Sequence, residues 1–309
     1  MISKKASAPA VVAFDKLSEA RAGSGAAEAV DPGADIANQY RAWLWFRASL
    51  TTERYKLYKE AISKATREFG AKSSPEPMLG WWAAAAEDYT LAVCMQDGRA
   101  LSRVIDPVLP QLYFRYNMPP AAFRDAVRRH AWATQGRSFW AGIDSDDDAT
   151  GFANTPGVLT AAVLETLMAG GKGYCMWAGA YMDTRQWAEL AAVNGVIARY
   201  ENTFLGGKET DLFRAHAPEG KGDYFHPWSK AVFVSTRETK SEGLVLISDY
   251  RAERAPFWVE RSTAYSGPMT LTDAFTGAVV AKLAAGQWDF RIHLQNSPAR
   301  LLVWRKNLH

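Results

Sequence analysis

From Thr52 to Phe69 the apolar positions Tyr55, Tyr58, Ile62, Ala65 and Phe69 recur at the interval of a helix that buries one face. A threonine precedes them as a cap and Gly70 follows as a stop, so the pattern predicts an amphipathic helix. Short continuous apolar runs come next, at Met78–Trp82, Val108–Phe114, Ser138–Ile143 and Gly173–Trp177, and each predicts a strand buried on both faces. Between the runs, helical patterns cover Arg99–Val104, Pro119–Trp132 with Phe123, Val127 and Ala131 in register, and Thr155–Met168 with Pro156 at the favoured first position. Thr184–Phe204 follows, with Trp187, Leu190, Ala191, Asn194 and Ile197 on one stripe. Strand starts return about every 30 to 35 residues, the length of a βαβ crossover unit, and such crossovers predict a parallel sheet.

Beyond Gly206 the pattern changes. A polar, glycine-containing stretch to Gly222 reads as a linker. Runs of strand character then appear at Ala231–Ser235, Gly243–Ile247, Pro256–Glu260, Met269–Thr272, Trp288–Leu294 and Arg300–Trp304, separated by turn signals such as Thr276-Gly277. Trp288, Phe290, Ile292 and Leu294 alternate with polar residues, as a half-buried strand requires. At the other end, Ala20–Asp35 is rich in Ala and Gly without periodicity and predicts a loop. The expected organisation is a poorly ordered segment over 1–36 that includes one apolar run, a strand–helix domain over 37–206 and an antiparallel β-sandwich domain over 223–309.

Composition narrows the partners. With 309 residues, 48% of them hydrophobic, the chain buries a sizeable core without staples. Thirty-six basic against 33 acidic residues leave a net charge of +3 with no basic stripe, so no nucleic-acid partner is expected. No run reaches the roughly 18 apolar residues of a membrane helix, and Met1–Ala10 lacks the apolar centre of a signal peptide, so no membrane association is expected. Cys94 and Cys175 match no metal or redox spacing and read as small buried hydrophobes. Gly170-Gly171-Lys172-Gly173 follows a helix and precedes a strand, the reverse of a nucleotide cradle, so no cofactor is implied. The compositional oddity is 12 tryptophans and 12 tyrosines, flat amphipathic rings that serve sugar sites and ordinary cores alike.

Three segments carry a resemblance. Asp106–Tyr113 looks like the sixth strand of a glycoside-hydrolase-type (β/α)8 barrel, and Leu167–Trp177 looks like the eighth. Leu271–Gly277 and the closing Leu301–Trp304 are similar to the last strands of amylase-like β-domains. Together these span Tyr40 to the end and imply an α/β chain: a partial TIM-type barrel followed by an all-β antiparallel sandwich. A whole barrel needs eight units in about 250 residues, and four are clear here; Ala10–Phe14, followed by Asp15, resembles a fourth strand and supplies a fifth. The chain is then a fragment, a partial barrel completed by another copy in a homo-oligomer, or an open sheet that mimics the pattern.

In such a barrel the side chains just past the strand ends converge on one mouth. The candidates there are Asp15 after the first run, Trp82, Glu87 and Asp88 after the second, Tyr113, Arg115 and Tyr116 after the third, Asp144 and Asp146 after the fourth, and Trp177, Tyr181 and Asp183 after the fifth. Glycosidic cleavage needs two carboxyl groups, and the resemblance implies Asp144 and Asp15 in these roles. Trp82, Tyr113, Trp177 and Tyr181 become stacking platforms for a carbohydrate substrate, with Glu87, Arg115 and Asp183 as polar contacts, unless the rings are core and the charges pair among themselves. Asp144, Asp146 and Asp148 alternate as calcium ligands do, but the loop has no glycine at its sixth position and Thr155 where an EF-hand needs glutamate, so no metal site is assigned. His130, His216 and His226 show no ligand spacing and are given no role.

Overall fold

The computed structural model describes residues 32–70, 95–105, 107–112, 120–145, 155–177, 179, 182–216, 231–251 and 254–305. Two compact units divide at Phe46. Of the first, the described residues are the opening turns of helix α1 (Pro32–Glu68), where the rings of Tyr40 and Trp43 stack 6.0 Å apart. The helix starts at Pro32 rather than at Thr52. Thr52 is no cap, because its hydroxyl donates to the Ala48 carbonyl one turn back, at 3.1 Å. Residues 1–31, with the predicted run Ala10–Phe14, lie outside the described residues, as does Met78–Trp82.

The second unit continues with α2 (Gly98–Ser102), β1 (Gln111–Leu112), α3 (Pro120–Thr134), β2 (Trp140–Asp144), α4 (Val158–Met168), β3 (Gly173–Trp177) and α5 (Thr184–Gly206). The three strands form one parallel sheet in the order β1-β2-β3, as the crossover spacing predicts. The first begins later than the apolar run. Val108 makes an isolated parallel bridge to Phe139, and Pro110, which has no N–H to donate, interrupts the ladder before Gln111. Helix α4 begins after Pro156, not on it: Gly157, at φ 82°, occupies the cap position and its N–H donates to Glu189 Oε1 at 3.0 Å. Nearly every residue of α4 is buried, which its VLTAAVLETLM sequence allows because it is apolar all round.

Among the described residues nine strands follow: β4 (Lys208–Thr210), β5 (Phe213–His216), β6 (Val232–Glu238), β7 (Glu242–Asp249), β8 (Phe257–Arg261), β9 (Met269–Asp273), β10 (Val279–Leu283), β11 (Asp289–Ile292) and β12 (Ala299–Arg305). They make a six-stranded sheet, β10-β9-β12-β7-β6-β4, and a three-stranded sheet, β11-β8-β5, with every pairing antiparallel. The stretch expected as a linker therefore contains two paired strands. Alternating Lys, Glu, Arg and His hide them from a search for apolar runs, since only Phe213 reaches full burial. Residues 217–230 lie outside the described set.

The run Gly243–Ile247 is apolar without alternation because β7 is covered on both faces. Leu244 and Leu246, with Leu301 and Val303 of β12, pack into one core with Phe123, Leu159, Val163 and Val193 of the helices. Val245, Ile247, Leu302 and Trp304 face a second core shared with Phe257, Val259 and Phe290 of the smaller sheet. The helical layer and the antiparallel sheet thus share buried surface. A polar cluster joins them as well. Glu165 of α4, 2% exposed, accepts from Ser248 Oγ at 2.6 Å and Tyr250 Oη at 3.2 Å. Its other oxygen lies 3.5 Å from Arg124 Nε of α3, whose guanidinium covers the Phe233 ring at 4.0 Å. Burial and the neighbouring Glu165 carboxylate together push the Tyr250 hydroxyl well above the usual phenol range.

Candidate functional site

Parallel strands end on one side of their sheet, and β2 and β3 end on Asp144 and Trp177. The two residues are register partners, so their Cα atoms are neighbours across the ladder and their side chains emerge from the same face. That face is the one shared by Gly142 and Cys175. The opposite face carries Tyr174 and Met176, which pack against the helix-lined core, and the Tyr174 hydroxyl donates to Asn194 Oδ1 of α5 at 2.8 Å. Asp144 is fully buried and Trp177 is 46% exposed. Gly142 admits no larger residue without movement, because an added Cβ would stand 3.0 Å from the Pro110 carbonyl oxygen. Half-burial raises the Cys175 thiol above its ordinary range, which keeps it protonated.

Neighbouring residues fix this edge. The Ser145 backbone N–H and hydroxyl both donate to the Trp177 carbonyl, at 3.2 and 2.8 Å. The Ser145 carbonyl accepts from Nε2 of Gln186, which is buried at the start of α5, at 3.1 Å. Gln186 in turn closes a capping box with Asp183: the Asp183 carboxylate accepts from the Gln186 N–H at 2.7 Å, and the Gln186 side chain accepts from the Asp183 N–H at 2.8 Å. Asp183, expected to contact substrate, thus has one oxygen engaged as a helix cap. Ser145 and Gln186 were not among the expected site residues. The Asp183-x-x-Gln186 spacing is legible in the sequence as a capping box.

Of the nine residues expected to be catalytic or to contact substrate, the structure brings Asp144 and Trp177 together and sets Asp183 at the adjoining helix start. Asp15, Trp82, Glu87, Tyr113, Arg115 and Tyr181 lie outside the described residues. Among the described residues, no group of three His, Cys, Asp or Glu side chains could hold a metal ion, and no helix is long and apolar enough to cross a membrane. A cleft of about 420 Å³ lined by Trp140, Lys172, Tyr174, Asn194, Ile197 and Phe204 opens where β2 and β3 begin, at the opposite end of the strands from Asp144. Lys172 closes part of it by donating to the Leu205 carbonyl at 2.8 Å.

No protein-family model matches the sequence, and no curated protein does. Solved structures are similar in fold. A noncanonic maltogenic α-amylase from Thermotoga neapolitana aligns at a TM-score of 0.50 and 10% identity, over 79% of this chain and 58% of that one. A GH27 β-L-arabinopyranosidase from Geobacillus stearothermophilus aligns at a TM-score of 0.47 and 8% identity, over 71% of this chain and 53% of that one. The chain spans little more than half the length of either. The likeness to the amylase is one of fold alone: a glycosidase-like arrangement of mixed helix and sheet, with antiparallel sheets after the parallel strands.

Proposed function

We propose that the chain is a glycoside-hydrolase-like protein that cleaves O-glycosidic bonds. On this reading β1, β2 and β3 are successive strands of a partial (β/α)8 barrel over 37–206, and the sandwich of 223–309 extends back to take in β4 and β5. The observation that carries the proposal is a buried carboxylate, Asp144, at the C-terminal end of a parallel strand beside the exposed indole of Trp177. A carboxyl group there serves as acid or base at the scissile oxygen, and the indole offers its flat face to the apolar side of a pyranose. Asp15 supplies the second carboxylate, while Trp82, Tyr113 and Tyr181 add stacking surface and Glu87 and Arg115 add polar contacts. The fold likeness to a maltogenic amylase makes α-linked glucans the first substrates to try.

The test is turnover of malto-oligosaccharides and of a panel of aryl α- and β-glycosides by the full chain and by Asp144→Asn and Asp15→Asn. Loss of one catalytic carboxyl is expected to cost about 10²- to 10⁴-fold in kcat, with glycan binding retained. Binding of glycan by a wild-type chain that turns over none of the panel defeats the enzyme reading and leaves a carbohydrate-binding protein.

A further inference from the structure

The smaller antiparallel sheet has one face in the core and one in solvent. On β8 the residues Phe257, Val259 and Arg261 point inward, and Trp258 and Glu260 point out. Register places Arg291 of β11 and His216 of β5 on either side of Trp258, and Asp289 and Arg214 on either side of Glu260. All six are exposed. The outer face is therefore two rows of three, with strands about 4.8 Å apart and rows about 7 Å apart. A single indole, 48% exposed, stands in the middle of the upper row.

Isolated exposed aromatics are ordinary, so the setting of this one decides the case. Trp132 of α3 is exposed as well, but the Arg99 guanidinium covers it at 3.6 Å. Among the described residues no ring or cation lies over Trp258, and the charged residues that flank it belong to the neighbouring strands. They also balance: Arg214 and Arg291 offset Glu260 and Asp289, and the His216 ring is paired with Glu260. A polyanion laid on this face would meet two carboxylates, and an apolar peptide would strand five polar side chains. An uncharged, polyhydroxylated ring satisfies both features, with its C–H face on the indole and its hydroxyls over guanidinium, imidazole and carboxylate groups that donate and accept.

We propose that the outer face of β11-β8-β5 binds a neutral polysaccharide chain, with Trp258 as the stacking platform and Arg291 and His216 as flanking hydrogen-bonding groups. The site is separate from Asp144 and does not depend on cleavage. The test is native electrophoresis of the full chain in gels carrying amylopectin, galactomannan or mixed-linkage β-glucan, with a blank gel and a heparin gel alongside. Retardation is expected in at least one neutral gel, equally for wild type and Asp144→Asn. Trp258→Ala is expected to weaken binding about thirtyfold, the worth of one aromatic anchor, and Trp258→Tyr to keep part of it. Three results overturn the proposal: no retardation in any neutral gel, retardation of Trp258→Ala equal to wild type, or retardation by heparin alone. Failure of the cleavage reading shows separately, as a chain retarded by polysaccharide whose Asp144→Asn variant loses no turnover.

Discussion

Replacing Glu165 by alanine removes a buried carboxylate that ties helices α3 and α4 to the antiparallel sheet. Two buried donors, the hydroxyls of Ser248 and Tyr250, lose their acceptor at 2.6 and 3.2 Å, and the Arg124 guanidinium loses a counter-charge 3.5 Å from its Nε. The Arg124 side chain is 11% exposed and has a second, weaker partner in Asp125 at 3.4 Å, so it is not left wholly uncompensated. Breaking a buried pair from one side costs about 3–5 kcal/mol, and the Asp125 contact places this case near about 3 kcal/mol. For a chain of this size that lowers the melting temperature by roughly 6–12 °C. Glu165→Gln keeps an acceptor for Ser248 and loses only the charge, so it should cost less than half as much. Urea and thermal unfolding of the three proteins, followed by tryptophan fluorescence, make the comparison. A Glu165→Ala variant within about 1 kcal/mol of wild type refutes the claim that this cluster joins the layers.

His130 is fully buried on α3, neither ring nitrogen has a hydrogen-bond partner among the described residues, and burial followed by the nearby Arg129 charge lowers its pKa to about 4. A pKa depressed on folding favours the neutral ring, so the contribution is complete above about pH 6.5 and is lost as the pH falls through 6.5 toward 4; stability should drop by about 3 kcal/mol over that window. Unfolding titrations of His130→Leu should show a flatter profile across it. Gly243→Ala drives a Cβ to within 2.0 Å of the buried Trp304 ring, and is expected to lower stability by about 1–3 kcal/mol, with a smaller loss when Trp304 is also replaced by leucine. Asp183→Ala should cost about 1 kcal/mol through the lost cap, with Asp183→Asn close to wild type because an amide oxygen also caps. A deficit in Asp183→Asn as large as in Asp183→Ala would indicate that the charge, not the cap, matters.

The sequence is most legible where an apolar run or a helical pattern is unbroken by turn residues. The run Gly173–Trp177 coincides with β3, and Thr184–Phe204 falls short of α5 by two residues, although the buried stripe of that helix runs through Gln186, Leu190, Val193, Val196 and Tyr200 and leaves Trp187 exposed. It was least legible where strands are polar on one face and short. Strands β4 and β5 lie in a stretch whose sequence reads as a linker, and β10 carries little strand signal because its Val279-Val280-Ala281-Lys282-Leu283 buries only its last residue. The position of Asp144 beside Trp177 followed from strand ends in a parallel sheet. Ser145 carried no such signal, because a serine that anchors a neighbouring strand through its own backbone looks like any loop serine. Asp183 sits where a substrate contact and a helix cap are both expected, and its hydrogen bonds with Gln186 show the cap.

The most direct test is kcat for the full chain and for Asp144→Asn on whichever glycoside of the panel the wild type cleaves, each normalised to folded protein by circular dichroism. The account predicts a fall of about 10²-fold or more with unchanged thermal stability. Turnover by Asp144→Asn within a factor of about two of wild type would remove Asp144 from the chemistry, and with it the proposed site.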